Sequence, residues 1–237
     1  MGQSVASMTL QPDGLVYNPN DFFKPEFNKV GVAISGGIDS TALLLLAVHV
    51  YGSQNVIAFS ASLPGGRRAW EPIKAATVAS VLGVRHEIIQ GEETWFVAVS
   101  SGGTPGTSAT LAAAKVMYPE LDATFVGNSK LWFAPTFTPT SEQIQQGQQT
   151  NTYAPLLALQ KHHSIDIIRQ LNSDILSLTH SCGTQYLSHC GRCYCCRERV
   201  RGFAALGAND SATYDRPWNE MKAEVYPTSI YENRNWS

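Results

Sequence analysis

Five cysteines, Cys182, Cys190, Cys193, Cys195 and Cys196, crowd into fifteen residues, and the first 181 positions hold none. A disulfide framework spreads its cysteines to tie distant segments together, whereas a tight cluster suits a metal. Cys182, Cys190, Cys193 and Cys196 are spaced C-x7-C-x2-C-x2-C. A C-x2-C pair brings two sulfurs together from one tight turn, and Gly191 gives that turn its freedom. Four thiolates in this pattern describe a closed, structural Zn2+ site. An iron–sulfur cluster is the alternative that the same quartet could serve. Cys195 neighbours Cys196 and points elsewhere, although the two could exchange roles. His180 and His189 are the remaining candidate ligands.

The second chemical segment is Ser35-Gly36-Gly37-Ile38-Asp39-Ser40-Thr41. Two glycines let a backbone approach a ligand closely, and the free amides and positive dipole end of a following helix attract phosphate. Ser35, Ser40 and Thr41 add hydroxyl donors. Asp39 repels an anion, so its place here makes sense if Mg2+ lies between carboxylate and phosphate. The G-x-x-x-x-G-K-[ST] and G-x-G-x-x-G patterns are both absent. A strand-to-helix turn capped by Ser and Asp would use the same residue types without any ligand.

A strand must lead into this turn and a helix must follow it. Val30 to Ile34 is a short apolar run that reads as a buried strand, and Ser40 to Tyr51 as a helix closed by Gly52. Asn55 to Leu63, Val84 to Ile89 and Ala123 to Gly127 read as further strands. Trp70 to Leu82 and Thr107 to Met117 read as helices, and a helical pattern resumes over Ser164 to Leu171. Strands alternating with helices predict an α/β fold, a parallel sheet covered on both faces, with ligands beyond the carboxyl ends of the strands. Gly127 to Tyr153 is polar and without period, which fits a functional lid or a disordered insertion. Residues 1–28 form an N-terminal extension whose Phe22, Phe23 and Phe27 are expected to pack on the domain. The tail from Asn209, with Trp218, Tyr226, Tyr231 and Trp236, either closes the domain or meets a partner subunit.

The 237 residues carry 17 basic and 19 acidic side chains, a net charge of −2. Hydrophobic residues at 43% against 15% charged exclude a disordered or coiled-coil protein. The charge balance argues against a non-specific nucleic-acid binder, which needs a basic field. The longest apolar run, Thr41 to Val50, is half of the roughly 20 residues that cross a bilayer. The start of the chain has no signal-peptide pattern, so a cytoplasmic protein is expected (in the host cell, if the source is viral).

The glycine segment resembles the S-G-G-x-D-S signature of the PP-loop ATP pyrophosphatases, matched at Ser35, Gly36, Gly37, Asp39 and Ser40. The run from Cys182 through Cys190-Gly-Arg-Cys193-Tyr-Cys-Cys196-Arg-Glu-Arg199 to Phe203 resembles the zinc tail of the 7-cyano-7-deazaguanine synthases. That pattern is an isolated Cys, then C-G-x-C-x-x-C-x-x-R with a Phe four residues on. The resemblance spans about Lys29 to Gly207. It implies a doubly wound, mostly parallel sheet of the adenine nucleotide alpha hydrolase type over residues 29–175, and a small zinc-binding subdomain with its tail over 176–237. It implies ATP and Mg2+ at Ser35 to Thr41, with Asp39 and Ser40 in the catalytic role, and Zn2+ on Cys182, Cys190, Cys193 and Cys196. Phe59 and Ser60 would lie near the adenine, and Arg67, Gly127 and Asn128 would complete the binding set. The implied reaction joins 7-carboxy-7-deazaguanine and ammonia into the nitrile 7-cyano-7-deazaguanine, through an adenylated carboxylate and an amide, in a homodimeric enzyme of deazaguanine and queuosine biosynthesis.

The middle of the chain departs from that family. Gly66 and Arg68 stand for Gln and His in its G-Q-R-H-x-x-E run, and Thr107 and Ser108 for the Arg and Asn of its P-G-R-N run. Leu131-Trp-Phe-Ala-Pro135 replaces its Y-P-D-C-R. A diverged member, viral or defence-associated, that stops at the amide or takes another carboxylate is the first alternative. A PP-loop tRNA thiolase is the second, though it would need a basic surface. A non-catalytic adaptor built on the zinc segment is the third.

Overall fold

The computed structural model describes residues 5–62, 69–91, 105–129 and 151–225, with the backbone alone for 105–108. Seven strands are described: β1 (Met8–Leu10), β2 (Leu15–Tyr17), β3 (Val30–Ala33), β4 (Val56–Ser62), β5 (Arg85–Gln90), β6 (Ala123–Phe125) and β7 (Thr152–Tyr153). The last five make one sheet in the order β5-β4-β3-β6-β7, every neighbouring pair parallel. β3 is buried along its whole length, as the unbroken run Val30-Gly-Val-Ala33 requires of a central parallel strand. The chain builds outward from β3 to β5 on one side, then returns to place β6 on the other. The order therefore switches between β3 and β6, the kind of position beside which open parallel sheets bind their ligands.

Helices cover both faces. α1 (Ile38–Tyr51), α2 (Glu71–Val81) and α4 (Lys161–Asn172) share a core with Val56 and Ala58 of β4. α3 (Pro105–Met117) lies over the other face, where Ala114 and Tyr118 meet Ile57, Phe59 and Ile89. The alternation of Val56 and Ala58 with Ile57 and Phe59 is the strand period of two dividing one sequence between two cores. α1 is buried almost all round, because α4 covers the side that the sheet leaves bare.

Two helix starts fall earlier than their apolar pattern. α1 begins at Ile38, since Gly37 in extended conformation serves as its N-cap. α4 begins at Lys161 because Gln160 and His163 form a reciprocal capping box. The N-terminal extension carries the β1–β2 hairpin, which the sequence reading did not foresee. The Gln11 amide donates to Asp166 Oδ2 at 2.9 Å and Gln170 donates to the Thr9 carbonyl at 3.0 Å, tying the hairpin to α4. Phe23 stacks on Phe125 with ring centroids 4.7 Å apart, and Phe27 lies against Tyr153, so the expected packing of these rings on the domain is observed.

At the hairpin turn, Asp13 meets His163 Nε2, which also lies 3.0 Å from His162 Nε2. The three ligand-type atoms lie within 4.8 Å of one another. His163 Nδ1, however, accepts the Gln160 amide, so the neutral ring carries its proton on Nε2, the atom facing the other two. The group is thus a hydrogen-bonded clasp between hairpin and helix. Beyond α4 come a 3-10 turn (Ser173–Leu178), the irregular cysteine segment, α5 (Tyr194–Ala205) and α6 (Trp218–Val225). Phe203 and Trp218 pack onto the main core, so this end of the tail closes the domain.

Candidate functional site

The carboxyl ends of β3, β4 and β6 converge on the Ser35–Thr41 turn. Gly36 adopts φ +77, and a Cβ there would lie 2.7 Å from Lys74 Cβ, so both its conformation and its space demand glycine. Ser40 Oγ donates to the Gly37 carbonyl at 3.1 Å and accepts the Ser35 amide at 3.2 Å, with Ser35 Oγ 3.2 Å away. These bonds shape the turn but leave the helix end open, for no side chain among the described residues caps α1. The first amides of a fourteen-residue helix and its dipole therefore stand at the carboxyl end of β3, the arrangement that binds phosphate. Gly36, Ile38, Ser40 and Thr41 are buried, whereas Ser35, Gly37 and Asp39 are half-buried.

Asp39 is the charged centre of the turn. Its Oδ2 accepts from Ser129 Oγ at 2.8 Å and pairs with Lys161 Nζ, 122 residues away in sequence. Its Oδ1 is buried and finds no hydrogen-bond partner among the described residues. A buried, ionised oxygen without a donor is costly, so Asp39 has coordination capacity left for a cation, and the donor set fits Mg2+. Lys161 was not foreseen: it precedes the apolar period of its helix, and no local signal marks it. Gly127 brings β6 against α1 so closely that a Cβ would lie 2.8 Å from Ser40 Cα. Asn128 follows it, half-buried at the rim.

Phe59 is wholly buried under α3, and its carbonyl accepts the Ile34 amide at 2.8 Å. Ser60 Oγ donates to the Ile34 carbonyl at 2.6 Å and therefore accepts from His86 Nε2 at 2.8 Å. Both side chains hold β4 to its neighbours. Arg67, the altered run Gly65 to Arg68, and residues 130–150 of the polar stretch lie outside the described residues.

The four spaced cysteines come together: the sulfurs of Cys182, Cys190, Cys193 and Cys196 lie within 4.8 Å of one another. Cys190 and Cys196 are 3.9 Å apart, close to the edge of about 3.8 Å in a tetrahedron with Zn–S bonds of about 2.3 Å. The Cys190 sulfur accepts the amides of Cys193 and Arg192 at 3.2 and 3.4 Å. Burial opposes its ionisation, yet the Thr184 hydroxyl and these amides bring the thiol down to about 6. A thiolate held ready by backbone amides fits a metal ligand. Cys195 stands outside the quartet. His180 Nε2 lies 2.7 Å from the Gln185 carbonyl, and His189 Nε2 accepts the Ser181 amide, so neither histidine joins the sulfurs.

Residues 112–207 match the family described as Queuosine biosynthesis protein QueC, and residues 26–99 match that described as Asparagine synthase. The 7-cyano-7-deazaguanine synthase of Koribacter versatilis (strain Ellin345) is 28% identical over 224 residues, 78% of this chain and 93% of that protein. The enzyme of the same name from Chromobacterium violaceum is 26% identical over 219 residues, 77% and 92% of the two chains. Among solved structures, the U34-tRNA thiolase NcsA from Methanococcus maripaludis overlays with a TM-score of 0.48 at 14% identity, over 96% of this chain and 77% of that one.

Proposed function

From the likeness of residues 112–207 to the QueC family and of most of the chain to two 7-cyano-7-deazaguanine synthases, we propose that this chain makes a 7-deazaguanine nitrile from 7-carboxy-7-deazaguanine, ammonia and ATP. A carboxylate is a poor electrophile because its charge repels the nucleophile. Transfer of AMP to a carboxylate oxygen, with pyrophosphate leaving, removes that charge. Ammonia then adds at the carbonyl carbon, and AMP leaves to give the amide. A second adenylation, at the amide oxygen, lets AMP depart with that oxygen and two protons leave nitrogen, forming the nitrile. Bound Mg2+ would neutralise phosphate charge, held by Asp39 through Oδ1, which has no partner among the described residues. Zn2+ on the four cysteines would be structural.

The chain's own groups supply position and charge. The open end of α1 offers amides to pyrophosphate, and Gly36 and Gly37 let the phosphates approach. Lys161, already aimed at the turn through Asp39, supplies the mobile cation that follows the phosphate charge as it develops. No side chain needs to act as nucleophile, so the gain comes from orientation and electrostatics. The observation that carries this reading is the uncapped helix end beside the Asp39–Lys161 pair, placed where the strand order switches.

The test is a mass-spectrometric product assay with ATP, Mg2+, ammonia and 7-carboxy-7-deazaguanine. Nitrile with AMP is the expected result. Amide alone would mean a pocket retuned to stop halfway, in line with Thr107 and Ser108 in the family's Arg and Asn positions. Neither product would refute the assignment of the acceptor.

A further inference from the structure

We propose that residues 176–180 form a strap that positions the glycine turn, with Arg199 of the cysteine-rich segment as its clamp. The inference rests on the Ser35–Thr41 turn being the nucleotide site. Arg199 lies on α5 and is wholly buried. Its guanidinium has five N–H groups, and each finds an acceptor. Nε and Nη2 donate to the two oxygens of Asp210 at 2.5 and 2.8 Å. Nη1 donates to the Thr179 carbonyl at 3.1 Å and to Thr179 Oγ1 at 2.7 Å, and Nη2 reaches the Leu176 carbonyl at 3.4 Å. An ion pair that only stapled α5 to its following loop would need Asp210 alone. Three of the five donors go instead to the strap.

The next residue makes the connection. The His180 amide donates to the Gly36 carbonyl at 2.8 Å. A trans peptide unit is planar, with its C=O and N–H on opposite sides. Fixing the Gly36 carbonyl toward the strap therefore turns the Gly37 N–H the other way, where it lies 3.4 Å from Ser35 Oγ. Lys74 and Ala75 of α2 also press on Gly36, on the side where a Cβ would stand. The turn is held by both α2 and the strap, so its amides are aimed before any ligand arrives. Arg199 and the His180 amide are positioning groups that act through Gly36. Cys182 follows two residues later, so one segment serves both the sulfur cluster and the turn.

The test compares His180→Pro with His180→Ala in the full chain. Both lose the imidazole, but only proline loses the amide proton. Thr179 has φ −73 and ψ 139, a conformation that tolerates a following proline. Two readouts are taken: hydrogen exchange at the amides of residues 37–41 without ligand, and the Kd for ATP with Mg2+ by calorimetry. One net hydrogen bond predicts exchange and Kd both raised about threefold to tenfold in His180→Pro relative to His180→Ala. Should the proline variant fail to fold, Thr179→Val removes the hydroxyl that Arg199 grips and Thr179→Ser restores it; the serine variant should rescue both readouts. Equal exchange in the paired variants overturns the strap. Faster exchange in a chain whose parent binds no ATP supports the strap and overturns the nucleotide assignment.

Discussion

Lys161→Met removes the cation from Asp39 while keeping most of the apolar stem. The two side chains are 18% and 16% exposed, so the pair lies between two regimes. Exposed pairs contribute about 0–1 kcal/mol, whereas breaking a buried one costs about 3–5 kcal/mol because a charge is left uncompensated. In the variant, Asp39 keeps, among the described residues, only the Ser129 hydroxyl on Oδ2 and nothing on Oδ1. A loss of about 2 kcal/mol follows, seen as a fall in Tm of about 4–8 °C for a domain of this size. The cost arises from the orphaned carboxylate and not from the missing lysine. Adding Asp39→Asn to Lys161→Met should therefore recover part of the lost stability, although it is a second substitution in the same site.

Function separates the two roles of this lysine. If Lys161 follows the phosphate charge, its loss should lower the rate of AMP formation by about 10²–10³, as removal of one preorganised donor does. The assay pairs thermal melts with AMP release under saturating ATP. A variant that melts early but forms AMP at the parent rate would reduce Lys161 to a counter-ion of Asp39. A variant that melts with the parent would refute the pairing itself.

Gly127→Ala should weaken ATP binding at least about tenfold and lower stability by about 1–3 kcal/mol, because its Cβ would sit 2.8 Å from Ser40 Cα and 2.9 Å from Ser40 N; calorimetry and melting read the two effects. Cys196→Ser should lose bound zinc by elemental analysis, whereas Cys195→Ser should keep it, since only the former belongs to the sulfur quartet. Burial, then the neighbouring His163, lowers His162 to about 4. Its folded state stays neutral where the unfolded chain takes up a proton, so the stability it contributes is complete above about pH 6.5 and is lost as pH falls toward 4, by about 1.4 kcal/mol per pH unit. His162→Gln should flatten that slope by one proton in urea melts from pH 7 to 4.

Chemistry written in neighbouring residues was legible, and chemistry assembled across the fold was not. The glycine turn and the cysteine quartet each lie within one short segment, so residue type and spacing stand in for geometry. The centre of the sheet was legible for the same reason: Val30 to Ile34, the first five residues of β4 and all of β6 are buried throughout, whereas β5 at the edge buries only Ile89 fully and shows a shorter apolar signal. The hairpin escaped because its strands are three residues long, although Pro12-Asp13-Gly14 has the residue types of a turn and Gly14 stands at φ +72. β7, with two residues, has no length in which a period could appear. α4 was read three residues short because Gln160 and His163 do the capping that Ser and Glu usually mark.

Lys161 and Arg199 show where local reading ends. Each is one basic residue among seventeen, and nothing beside either says what it will meet. Lys161 gains its role from Asp39 only because α4 packs on α1, bringing residues 122 apart into one ion pair. Arg199 stood out as a motif position without a task, and the task depends on Thr179 and Asp210 closing around it from both sides in sequence. The pattern of the cysteines could suggest a metal centre; that the same segment also reaches Gly36 follows only from one backbone amide, at His180, placed by the buried guanidinium beside it. A segment that folds around four sulfurs can thereby set the direction of amides in a turn nearly 150 positions earlier, which is why exchange at residues 37–41, and not metal content, is the measurement that reports on it.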